Sequence, residues 1–188
     1  MSKKYSLIKK CLLNVVGLSL LSLSNISSGH LMVAQHGTLN FVDHYAYIVL
    51  SLPISAFVGI DDDKDGEITL SEFNNHRRQL SAKVINSVYL SDENSEFLID
   101  GLLLNPSFEH EHVAEELNED QEPQHIEQVT ITGRYSLPSA QRKVNFNIKL
   151  FSVYKTLQRY EITAINKKQN NKYQFYLTPS NSSSSLFN

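Results

Sequence analysis

Twelve residues, Asp61 to Glu72 (DDDKDGEITLSE), constrain this chain more than any other stretch, because they set carboxylates at alternate positions ahead of a single glycine. Asp61, Asp63 and Asp65 hold the first, third and fifth positions, from which short side chains on a tightly turning backbone converge on one point. Gly66 is sixth, where the chain must bend sharply and a Cβ would be costly. Glu67, seventh, needs only its backbone carbonyl; Thr69, ninth, can act through its hydroxyl or a bridging water. Glu72, twelfth, has the longer stem required to reach back with both oxygens. Carboxylates packed this closely lie well inside a Debye length of about 10 Å and repel one another unless a cation sits among them.

An all-oxygen donor set of flexible geometry suits Ca2+ better than zinc, copper or nickel, and better than Mg2+ with its stricter octahedron. The ordinary alternative is a solvated Asp-Gly turn. The match at each ligand position, with Ile68 eighth and Phe73 after the closing glutamate, favours the ion. The expected ligands are therefore Asp61, Asp63, Asp65, Glu67, Thr69 and Glu72. With these residues the segment resembles the EF-hand superfamily over roughly residues 53–82, and the resemblance implies a helix-loop-helix at about 53–88 with calcium as its ion. EF-hands usually pair through short β contacts around position eight, and no second loop is present. The nearest candidate, DENSEFLIDG from Asp92, lacks glycine at position six and has Leu103 at position twelve. An unpaired loop has no partner for cooperative switching, so Ile68 is expected to pack on the domain's own sheet and the ion to be structural.

The first 29 residues read differently from the rest. Lys3, Lys4, Lys9 and Lys10 precede the uncharged run CLLNVVGLSLLSLS and a small-residue patch from Asn25 to Gly29, the three-part layout of a secretory signal peptide. The apolar stretch Cys11–Leu23 is too short to span a bilayer. Cleavage near residue 30 predicts an exported protein, periplasmic or secreted, of a Gram-negative type of cell. It removes four of the 17 basic groups and none of the 20 acidic ones, leaving 13 against 20, a net charge of −7. That balance argues against nucleic acid as a partner. It also removes Cys11, the sole cysteine, and with it disulfides and thiolate chemistry.

Residues 30–188 are expected to form one β-rich domain. Apolar, β-favouring runs on either side of Asp43-His44 predict a hairpin of 38–42 with 45–52. Pro53 suits the first turn of a short helix, with Ile54, Phe57 and Val58 at helical spacing. Leu70, Phe73, Leu80, Val84 and Val88 share a face, which predicts a helix over 70–88. Strand-type segments follow at 97–105, 127–137, 143–151, 159–166 and 172–179. In the third of these Val144, Phe146, Ile148 and Leu150 alternate with Asn145, Asn147 and Lys149. The expected fold class is α+β: an antiparallel β-sandwich or open barrel with one EF-hand helix-loop-helix inserted after an N-terminal hairpin. The segment 106–125, with seven acidic residues, three histidines and no basic group, reads as a solvated, mobile acidic loop.

His30 and the new terminal amine, or His110, His112 and His125 among their glutamates, suggest a second use of metal: capture of copper, nickel or zinc. The segments LSLPISAF (50–57) and YLTPSNSSSSLF (176–187) are similar to exported domains associated with the HupE/UreJ group of nickel transporters, although this chain lacks their membrane helices. That similarity implies an accessory role beside a membrane or envelope protein. His44 reads as a turn residue and His76 as a helix-surface residue. No Gly-x-Ser-x-Gly elbow, His-Glu-x-x-His pair, phosphate-binding glycine loop or cysteine nucleophile occurs, so catalysis has no motif to carry it. The leading expectation is a calcium-binding, non-enzymatic exported module. Metal handling is the alternative, and a periplasmic hydrolase has only its location in its favour.

Overall fold

Asp43 takes a left-handed conformation (φ 49°), which a short polar side chain tolerates, and with His44 it forms a two-residue turn. It joins β1 (His36–Val42) to β2 (Tyr45–Pro53) in register from Gly37↔Leu50 to Val42↔Tyr45, the hairpin expected there. The computed structural model describes residues 33–108, 125–138 and 143–187. The expected signal peptide, His30, His110, His112 and all but the two ends of the acidic loop lie outside them. The described residues belong to one unit, Met32–Asn188.

After β2 the chain makes a single 3₁₀ turn, Ile54–Ala56, passes through the Asp-rich loop that begins at Asp61 and enters α1 (Leu70–Ser87). Then come β3 (Val88–Ser91), β4 (Glu96–Phe97), β5 (Asp100–Phe108), β6 (Ile126–Ser136), β7 (Val144–Ile148), β8 (Tyr160–Asn166), β9 (Asn171–Leu177) and β10 (Ser183–Leu186). These strands form a six-stranded sheet, β5-β6-β2-β1-β8-β9, and a four-stranded one, β10-β7-β3-β4. The fold is therefore sheet-rich α+β with one α-helix among the described residues. Among the described residues no helix is long and apolar enough to cross a membrane.

Alternation decides the faces. Ala46, Ile48, Leu50 and Leu52 of β2, Ile162 and Ala164 of β8, and Val144, Phe146 and Ile148 of β7 are all buried, and Leu150 continues the last series just beyond its strand. The two sheets contribute to one core. Phe146 of β7 meets Phe175 of β9 edge-on at 6.4 Å. The buried Tyr135 hydroxyl on β6 donates to the Val88 carbonyl on β3 at 3.3 Å.

Three expectations need correction. Antiparallel pairing fails at β1 and β8, which run parallel from His36↔Glu161 to Phe41↔Asn166. A parallel neighbour needs a long crossover, and here the whole excursion through the second sheet supplies it. Gly37 sits at this junction, where a Cβ would fall 2.7 Å from Ile162 Cδ1 and 2.9 Å from Leu50 Cδ1. Second, no helix leads into the loop. Pro53 closes the β2 ladder opposite Gln128, and the 3₁₀ turn ends with the Phe57 N–H donating to the Ile54 carbonyl at 2.9 Å. Phe57 and Ile60 are buried while Val58 is exposed, so this stretch runs along the core instead of rising as a helix. Third, Leu70 is exposed; it lies about 60° off the buried stripe of Phe73, Leu80 and Val84, given 3.6 residues per turn.

Candidate metal site

The loop's polar side chains are organised by its own backbone amides. Asp61 accepts from Lys64 N–H at 2.6 Å through Oδ1 and from Gly66 N–H at 3.1 Å through Oδ2. Asp63 Oδ1 accepts from Asp65 N–H at 3.2 Å, and Asp65 Oδ1 from Glu67 N–H at 2.8 Å. The bend uses left-handed conformations at Lys64 (φ 64°) and Gly66 (φ 91°). A side chain at Gly66 would meet open space, so the need for glycine there is conformational, not steric crowding.

These turns bring one carboxylate oxygen each of Asp61, Asp63 and Asp65 within 4.8 Å of one another. Their mutual repulsion at that spacing is about 1 kcal/mol per pair in bulk water and roughly 3 kcal/mol at an effective dielectric of 20. Asp63 and Asp65 are exposed and Asp61 half-exposed, so the lower figure applies. Charge repulsion alone therefore does not demand a cation; convergence of the oxygens is the more informative feature.

Glu72 stands at the base of the loop with two functions. It is the third residue of α1 and completes a capping box: Thr69 Oγ1 accepts from Glu72 N–H at 3.3 Å, and Glu72 Oε2 accepts from Thr69 N–H at 2.9 Å. The Thr69 hydroxyl also donates to Glu72 Oε2 at 2.8 Å, and Asp62 N–H donates to Oε1 at 2.8 Å. Hydrogen bonds from Thr69 N–H, then from Asp62 N–H and the Thr69 hydroxyl, hold this carboxyl below the ordinary glutamate range. Glu72 is thus a buried, charged acceptor that ties loop position two to the start of the helix.

Of the six expected ligands, then, three converge, while Thr69 and Glu72 bond each other at the start of α1, outside that group of three. The Glu67 side chain turns away: its Oε2 lies 2.5 Å from His125 Nε2. Position seven is expected to contribute only its carbonyl, so this orientation is compatible with that role.

Two histidines join the site: His76, which reads in the sequence as a helix-surface residue, and His125, which the sequence groups with His110 and His112 as a candidate for softer metals. His76 Nε2 lies 2.8 Å from Asp62 Oδ1 and its Nδ1 3.2 Å from Gln79 Oε1. The bond to Asp62, followed by that to Gln79, raises the imidazole above its ordinary value. Its signal was spacing, because four residues after Glu72 is one helical turn along the same face. His125 precedes β6 and reaches Glu67 only through tertiary structure. A separate polar cavity of about 350 Å³, lined by Asp92, Glu93, Asn94, Lys143, Asn145 and Ser185, shares no residue with the loop.

Neither the family models nor the curated proteins contain a match to this chain.

Proposed function

We propose that Asp61–Glu72 is an EF-hand-type loop that binds one calcium ion, and that the ion is a structural clip in an exported, non-enzymatic binding or accessory module. The observation that carries this reading is the convergence of Asp61, Asp63 and Asp65, with the buried Glu72 tied to the same loop through the Asp62 N–H. A flexible set of oxygens suits calcium, with the Glu67 carbonyl and Thr69 completing the shell. The helical half of the hand is α1. The other half is the 3₁₀ turn and its extended continuation, which makes this a helix-loop-helix only in its second part. The Gram-negative envelope is the compartment proposed, on the strength of the N-terminal pattern.

Calorimetric titration of the processed protein with calcium tests the proposal. One site is expected, with a Kd of about 10⁻⁴–10⁻³ M by analogy with extracellular loops. Such binding stabilises the fold by about 0.4–1.4 kcal/mol when calcium is one to ten times Kd. Binding should vanish in Asp61→Ala with Glu72→Gln, and retention of calcium by that variant would refute the assignment. Copper, nickel and zinc titrated in parallel address the metal-handling alternative.

A further inference from the structure

Ile68 and Thr69 leave the loop as a short extended edge, and the start of β6 pairs with it. The Ile126 N–H donates to the Ile68 carbonyl at 2.8 Å, and Thr69 and His125 form an antiparallel bridge. His125 also reaches the Glu67 carboxylate from that bridge. Ile68 and Ile126 are 8% and 2% exposed, so this junction is part of the core. The lead-in to the loop rests on the same strand. Pro53 faces Gln128, and the buried Ser51 hydroxyl donates to Gln128 Oε1 at 2.6 Å. The exit of the Asp61–Glu72 loop is thereby fastened to residues 125 and 126, and β2, the strand ahead of its approach, to Gln128.

We infer that His125 and Ile126 are positioning residues for the loop, standing where a second acidic loop would stand in a paired hand, and that ion binding is transmitted to the start of β6. The inference rests on the calcium reading above. An ion held by positions seven and nine fixes the backbone on either side of Ile68, whose carbonyl is the acceptor for Ile126. Opening the start of β6 frees that carbonyl, disorders positions seven to nine and releases the ion. By linkage the opened state becomes rarer by the factor 1 + [Ca]/Kd. Reciprocally, loosening the His125 contact weakens calcium binding by the same coupling that it removes.

Hydrogen exchange on the processed protein, with and without calcium chloride, reads this directly. At calcium ten times Kd the Ile126 amide should exchange about tenfold more slowly, while locally opening amides at the β8–β9 hairpin tip, Asn171 and Lys172, stay unchanged. His125→Ala should bind calcium roughly fivefold more weakly while its calcium-free melting temperature holds, a split that a merely structural residue would not produce. If calcium slows the loop amides of Lys64 and Gly66 but leaves Ile126 untouched, the inference fails and the ion site stands. Should calcium alter no amide and release no heat, the site itself is refuted.

Discussion

The approach to the acidic loop and the exit from it are built by different means. On the exit side, Thr69 and Glu72 satisfy each other's amides in a reciprocal cap, and 18 helical residues follow. On the approach side a three-residue 3₁₀ turn has no side-chain cap; it is held by distant parts of the chain. The Ser55 carbonyl accepts from Val153 N–H at 3.3 Å, and Ser55 and Ser152 share a hydroxyl hydrogen bond at 2.7 Å, 97 residues apart in sequence. One side of the loop is thus capped by neighbours within four residues, with Ile68 and Thr69 also paired to the start of β6, whereas the other has no local cap and is held by the second half of the chain.

Substitutions can break this comparison or sharpen it. The largest effects should come from the core and be alike on both sides: Phe73→Ala and Phe57→Ala each remove a fully or almost fully buried ring and should cost about 3–5 kcal/mol in urea unfolding. Local capping is where the sides diverge. Thr69→Ala should cost about 1–2 kcal/mol, within the usual range for lost caps, and should raise the Glu72 pKa by deleting a donor. The sign follows from a lowered folded value. The stability contributed by Glu72 is present above the ordinary carboxyl value of 4.5 and is lost as pH falls through the folded one. Ser55→Ala on the approach side should cost less, about 0.5–1.5 kcal/mol, the worth of one hydrogen bond. A Ser55→Ala cost equal to that of Thr69→Ala would show that the approach is as tightly fixed as the exit.

The smallest effect is electrostatic. His76 should titrate above 6.5 in an NMR pH series, and Asp62→Asn should lower its pKa. Because the folded value is raised, the contact contributes fully below 6.5 and is lost as pH rises through the raised value. A His76 that titrates at 6.5 in both proteins would remove it from the site.

The exit side was legible in sequence because its determinants are near neighbours. Gly66 marks the bend, and Phe73, Leu80 and Val84 recur at helical period. The hairpin at Asp43-His44 and the alternation through Val144, Phe146 and Ile148 were legible for the same reason. The approach side was misread because Pro53 is as suitable at the end of a strand as at the first turn of a helix. Burial of Phe57 and Ile60 chose between them, and burial depends on what lies across the core. The same holds for the sheet edge that meets Ile68. Packing on the domain's own sheet was expected, but no spacing identifies β6 as the partner or brings His125 to Glu67.

By itself, then, the sequence determined the loop's acidic positions, its glycine bend, the helix after it and the alternation of most strands, all of which arise from backbone preferences and contacts within a few residues. Tertiary structure alone decided that β1 lies parallel to β8, that the loop is approached by a 3₁₀ turn, and that His125 and Ile126 hold the loop's exit. These are contacts between segments tens of residues apart. Their choice depends on burying complementary apolar faces, a property of pairs of segments that no single segment displays.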